Sequence, residues 1–156
     1  MKRAKVQSGC PINFTLEMLG NRWTFLIIRD IVFYGKHTYG EFLASKEGVT
    51  TSMLAERLTA LEQEGIITKK RSALDKRKEN YFLTEKGCDL IPVLVELGNW
   101  GLEYDQTAGD NAAWLHEVRT NRDRLIEVIR ETIQEGGSVY VGKNNVLEKL
   151  GIPATF

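Results

Sequence analysis

Thr38 to Leu83 reads TYGEFLASKEGVTTSMLAERLTALEQEGIITKKRSALDKRKENYFL, and its order of start and stop signals decides the fold. Thr38 and Glu41 have the T-x-x-E form of a capping box, which opens a short helix through Phe42 and Leu43. Glu47-Gly-Val49 breaks the pattern, and Thr50 is placed to cap a second helix that runs to Glu64 and stops at Gly65. Leu54, Leu58 and Leu61 recur at i, i+4 and i+7, so one face of that helix is fixed inward. Two strand-like runs follow, Ile66 to Leu74 and Glu79 to Leu83, separated by Asp75-Lys-Arg-Lys78. Short helix, turn, longer helix and hairpin with a basic tip form the layout of a winged helix-turn-helix.

In that layout the second helix enters the major groove, while helix N-termini and the wing touch phosphates. The outward positions of the second helix are Ser52, Glu56, Thr59 and Gln63, with Thr51 and Arg57 on the flanks. Arg57 suits guanine or a phosphate, Thr51 and Ser52 suit several acceptors, and Glu56 suits the amino group of cytosine but repels phosphates if misplaced. Thr38 and Tyr39, at the start of the short helix, and Lys76, Arg77 and Lys78, at the hairpin tip, are the expected backbone contacts. Lys69, Lys70 and Arg71 alternate across a strand and cannot all face one partner.

Outward from this core, Asn13 to Leu19 reads as a short helix and Trp23 to Phe33 as a strongly apolar, central one. After the hairpin, Thr84 is expected to cap a long helix reaching about Asp105 and bent at Pro92. A polar stretch, residues 106–111, separates it from a second long helix, Ala112 to about Glu135. There Leu115, Val118, Leu125 and Ile129 approximate a heptad seam, interrupted by Arg122, that is expected to pack across a subunit boundary. The tail offers a short strand at Val139 to Val141 and a helical turn at Asn145 to Leu150. The expected fold is mainly α with a small β-hairpin wing. Residues 1–105 form the DNA-binding and dimerisation domain, and residues 106–156 a C-terminal helical extension.

The composition is that of an ordinary globular chain: 156 residues, 42% hydrophobic and 27% charged. No apolar run approaches the roughly 18 residues of a membrane span, and no export signal opens the chain, so a cytoplasmic protein is expected. The formal charge is zero, yet residues 1–83 carry 14 Lys and Arg against 9 Asp and Glu, and residues 84–156 carry 7 against 12. The basic part is the one with the helix-turn-helix pattern, as a polyanion partner requires. Cys10 and Cys88 have neither metal-ligand nor disulfide spacing, so no metal or other cofactor is expected. His37 reads as a surface residue or phosphate contact, Cys88 as core, and Trp23, Trp100 and Trp114 as packing anchors. A thiol enzyme built on Cys10 lacks a His-plus-carboxylate arrangement or a second cysteine in a C-x-x-C motif.

Cys10-Pro11, Gly20-Asn-Arg-Trp-Thr24 with Leu26-Ile-Ile28, Tyr39-Gly-Glu-Phe42, Met53-Leu-x-x-Arg-Leu58 with Leu61-Glu62 and Gly65 follow one another in a familiar order. Leu83-Thr-Glu-Lys-Gly87, Leu90-Ile-Pro-Val-Leu94 and Trp100-Gly101 continue it. With these motifs, residues 8–105 resemble HxlR-type regulators, although Leu74 to Tyr81 is more similar to a MarR wing. The resemblance implies a DNA-binding transcriptional regulator, a repressor, acting as a homodimer formed through the N-terminal helix and the long helix after the wing. It implies a pseudo-palindromic double-stranded DNA operator, a small-molecule or oxidant effector, and an oxidant- or electrophile-sensing role for a cysteine placed like Cys10. The residues themselves leave two readings of Cys10 open. A helix start nearby, and Lys2, Arg3 and Lys5, favour a reactive thiolate; a small residue packed at the dimer seam is the other. A winged helix used for protein recognition is the competing function, since fold does not fix function.

Overall fold

The structure is a computed structural model that describes residues 9–73, 75, 77–105 and 112–153. Nine helices and one hairpin are formed among the described residues, in two compact units: residues 1–30 with 36–87, and residues 31–35 with 88–156.

The first unit begins with α1 (Pro11–Leu19), whose first-turn proline sits where no backbone donor is needed. Next comes α2 (Arg22–Tyr34), which contributes its residues up to Asp30 to this unit. The sequence reading of the next two helices holds to the residue at their starts. Thr38 caps α3 (Tyr39–Leu43) in a full capping box with Glu41, and Thr50 caps α4 (Thr51–Gln63) by accepting from the Met53 amide. Gly65, at φ 67°, turns the chain off α4 in a conformation that a side chain disfavours. Leu54, Leu58 and Leu61 are buried with Ile28, Phe42, Ile66 and Ile67.

The hairpin pairs β1 (Ile67–Arg71) with β2 (Glu79–Leu83) in antiparallel register, Ile67 opposite Leu83 and Arg71 opposite Glu79. Its root is wider than two strands. Thr38 bridges to Asn80, and the Tyr81 amide donates to the His37 carbonyl at 2.7 Å, so the segment before α3 lies along β2. Gly87, in α5 (Glu85–Cys88), closes this unit; a Cβ there would stand 2.2 Å from the Ile66 carbonyl oxygen.

The second unit corrects three sequence expectations. The long helix from Thr84 is two helices, α5 and α6 (Ile91–Tyr104), rather than one bent at Pro92. Proline lacks an amide donor and crowds the preceding turn, so it occupies the first turn of a new helix instead of the middle of an old one. The helix expected from Ala112 to Glu135 is also two, α7 (Ala112–Thr120) and α8 (Arg122–Gln134), parted at Asn121 with φ −131° and ψ 34°. Val118, Leu125 and Ile129 are buried alongside Val128, Ile91 and Val95. The side chains of Trp114 and Leu115 lie outside the described residues, as does the polar stretch 106–111. No strand forms at Val139 to Val141: the amides of Val139 and Tyr140 donate to the carbonyls of Val32 and Phe33, at the end of α2. The helical turn is present as α9 (Val146–Leu150), capped by Asn145.

Candidate nucleic-acid interface

α4 offers the polar face expected of it: Thr51, Ser52, Glu56, Thr59 and Gln63 are all exposed. Their chemistry is less free than their exposure. The Thr59 hydroxyl donates to the Ala55 carbonyl at 2.9 Å, and the Ser52 hydroxyl lies 3.3 Å from that of Thr50. Arg57 does not project outward. Its side chain is largely covered, its guanidinium pairs with the neighbouring Glu56, and its Nε is buried with no hydrogen-bond partner.

Four of the predicted contact residues converge. Thr38, Tyr39, Arg77 and Lys78 line one cleft of about 690 Å³ with Gly40, Arg71, Glu79 and Tyr81. Lys76 lies outside the described residues. The cleft exists because α3 starts beside β2, held there by the Thr38 bridge to Asn80. A hydrogen bond from the His37 ring to the Tyr81 carbonyl, 2.8 Å between heavy atoms, adds to the hold.

The start of α3 is closed by the protein itself. Glu41 accepts from the amides of His37 and Thr38 at 2.9 and 2.8 Å and from the Thr38 hydroxyl at 2.8 Å. Burial pushes its pKa up, but these donors outweigh burial and hold it below the ordinary carboxylate value. With the Glu41 carboxylate seated on the two amides that lead into α3, negative charge already stands at its N-terminus, and the cleft relies on its cations.

Those cations divide by partner. Arg77 is held by Asp75, 3.2 Å away, whose pKa is lowered first by the Arg77 amide and then by its guanidinium. Lys69 stands between Glu62 and Glu79, at 3.5 and 3.4 Å, and Lys70 lies 5.7 Å over the Phe82 ring. Arg71 and Lys78 make no ion pair among the described residues, and both open onto the cleft. The three consecutive basic residues of β1 thus go three ways, and of them Arg71 lines the cleft. Alternation predicted the divergence, but which residue is ion-paired depends on Glu62 and Glu79, distant in sequence.

Sequence reasoning also missed what holds the turn before α4. Asp30, 2% exposed, gathers Arg29, Lys36 and Ser45, and Arg29 continues to Glu47. Cys10 is exposed and serves as the N-cap residue of α1, without a side-chain cap bond and in no disulfide. Cys88 is buried, as read from the sequence. Among the described residues, no helix is long and apolar enough to cross a membrane, and no group of acidic, histidine or cysteine side chains is gathered to hold a metal ion.

Comparison with known proteins agrees with this geometry. The HxlR-like helix-turn-helix family pattern matches residues 18–108. The chain is 32% identical over 117 residues to the HTH-type transcriptional regulator YdeP of Bacillus subtilis, covering 75% of this chain and 88% of YdeP. It is 36% identical over 96 residues to the HTH-type regulator Rv3095 of Mycobacterium tuberculosis, of whose length it spans 60%. Among solved structures, the redox regulator HypR in its oxidised form is similar at 29% identity and a TM-score of 0.57, over 63% of this chain and all of that one. A SlyA-like regulator from Listeria monocytogenes, 18% identical, shares the fold over 93% of this chain and 87% of its own, at a TM-score of 0.52. The capped pair α3 and α4, the basic hairpin and these likenesses place the chain in the HxlR-like helix-turn-helix family of winged-helix transcriptional regulators.

Proposed function

We propose that this regulator acts as a homodimer in the cytoplasm, binding a pseudo-palindromic operator with α4 in the major groove and the wing on the flanking backbone. The observation that carries the reading is the pair of cations, Arg71 and Lys78, opening onto a cleft whose Tyr39 is tied to the first residue of α4. Thr51, Ser52 and Glu56 read base edges; Arg77, Lys78 and Lys76 at the wing tip, with Arg71, meet phosphates. Thr38 and Tyr39 shape the cleft and position α4, their hydroxyl protons being committed to Glu41 and to the Thr51 carbonyl. Arg57 reaches DNA only after leaving Glu56.

Each unit supports dimerisation separately. α1 exposes Ile12, Phe14 and Leu16, and α6 exposes Val93, Leu97, Trp100 and Tyr104 along one stripe, Trp100 and Tyr104 with ring centroids 4.9 Å apart. Apolar stripes of this kind mark protein interfaces. Bound to its operator, such a dimer represses by occupying the promoter.

Recovery of duplexes from a random library by the purified chain tests this reading. Paired half-sites about one helical turn apart, and affinity falling steeply with salt, are expected. No recovery and no salt dependence would leave the alternative, a winged helix that recognises proteins. Cys10 is the proposed input: it is exposed at a helix start, and the similar HypR is a redox regulator. Peroxide, hypochlorite, quinone or aldehyde should modify Cys10 and alter operator affinity in the parent and not in Cys10→Ser; unchanged affinity would remove the sensor role.

A further inference from the structure

The turn between α3 and α4 hangs from two consecutive residues of α2. Both carboxylate oxygens of Asp30 are filled. Oδ1 accepts from Nε and Nη2 of Arg29 at 3.0 and 2.6 Å, and Oδ2 accepts from Nζ of Lys36 at 2.9 Å and from the Ser45 hydroxyl. Lys36 also donates to the Ser45 oxygen at 2.7 Å, closing a triangle. Arg29 reaches the far end of the turn and grips both oxygens of Glu47, at 2.5 and 3.1 Å. Ser45 opens the turn, and Glu47 lies three residues before Thr50, the cap of α4.

A buried ionic cluster adds little net stability over an apolar one of the same volume, because desolvation offsets the attraction. What it supplies is direction, since charged hydrogen bonds are short and sensitive to angle. We propose that Asp30 is a positioning residue for DNA recognition. Through Ser45, and through Arg29 to Glu47, it sets the angle at which α4 is presented to the major groove. This rests on the reading of α4 as the groove-entering helix. Base-edge bonds fail at small displacements that phosphate contacts tolerate, so loosening the turn lowers specific binding far more than non-specific binding.

Ser45→Ala, Ser45→Thr and Asp30→Asn in the full chain test the proposal, with the duplex recovered by the parent as specific probe and a random-sequence duplex as the non-specific one. Ser45→Ala is expected to bind the recovered duplex about tenfold or more weakly, the loss of a charge-assisted bond, with non-specific affinity within about twofold. Ser45→Thr, which keeps the hydroxyl, should restore the parent value. Amide exchange at residues 46–50 should accelerate about tenfold in Ser45→Ala while β1 and β2 stay protected. If Asp30→Asn does not fold, Ser45→Ala decides. Retained specific affinity in Ser45→Ala, or parallel loss of both affinities, overturns the proposal. If the parent recovers no duplex, the operator reading has failed, and the exchange measurement decides the positioning role alone: unchanged exchange at residues 46–50 overturns it, and acceleration confined there upholds it.

Discussion

The Tyr39 hydroxyl donates to the Thr51 carbonyl at 2.8 Å, which ties the first residue of α3 to the first residue of α4. Its proton is therefore not available to a phosphate. Tyr39→Phe is expected to cost about 1 kcal/mol of stability and to leave the salt dependence of DNA binding unchanged. A shallower salt dependence would show that the hydroxyl leaves Thr51 for a phosphate.

Among the described residues, Arg71 and Lys78 differ from Arg77 in making no ion pair with an acidic neighbour. Arg71→Ala and Lys78→Ala should each reduce the slope of log affinity against log salt by about 0.9. Arg77→Ala should reduce it less, because Asp75 already neutralises part of its charge. Affinity titrations at several salt concentrations measure all three, and equal slopes throughout would mean that Asp75 does not hold Arg77 in the complex.

Glu56 places a carboxylate on the exposed face of α4, the face proposed to meet DNA, and keeps Arg57 beside it. Glu56→Gln should raise affinity for a random-sequence duplex about threefold, the screened repulsion of one charge near a phosphate. Its discrimination between recovered and random duplexes should fall. Competition binding with both duplexes reads the two effects together.

Glu47 titrates well below an ordinary glutamate, moved from 4.5 to about 2, chiefly by its hydrogen bond from Arg29. Because the folded value is the lower one, its stabilisation is complete above about pH 4.5 and is lost as the pH falls towards 2. Partial exposure limits the effect to about 1 kcal/mol. Denaturant melts of the parent and Glu47→Gln should differ by that amount at neutral pH and converge in acid.

On α6, Leu97 is 49% and Trp100 67% exposed, so replacing them removes little from the monomer's interior. Leu97→Glu and Trp100→Glu should shift sedimentation from dimer towards monomer at micromolar concentration with little change in the melting temperature of the dissociated chain. An unaltered dimer would assign the interface elsewhere.

Features set by near neighbours were legible in the sequence. Thr38 with Glu41, Thr50 with Met53, and Gly65 act within a turn, and the α3, α4 and hairpin elements follow from them. The breaks at Pro92 and Asn121 were harder to read, because apolar periodicity runs on through both while the backbone does not. Val139 and Tyr140 have strand-like side chains, but their amides meet the end of α2, more than a hundred residues earlier in the chain. The candidate site divided similarly. Exposure of the α4 face followed from helical period. The inward turn of Arg57 and the pairing of Lys69 depend on which carboxylates fold beside them, and Asp30 finds Ser45 and Lys36 only across the turn.

The bridge from Thr38 to Asn80 has a consequence for how such regulators diversify. It pins the hairpin root to the segment before α3, whereas nearer the tip the described turn bonds are local, from the Ser72 amide to the Lys78 carbonyl and from the Lys78 amide to the Asp75 carbonyl. The tip is consequently an exchangeable cassette. On the proposed reading of the wing, it can change length and charge to suit a different path of DNA backbone, while the rungs below it keep the bearing of α3 and α4 as they are.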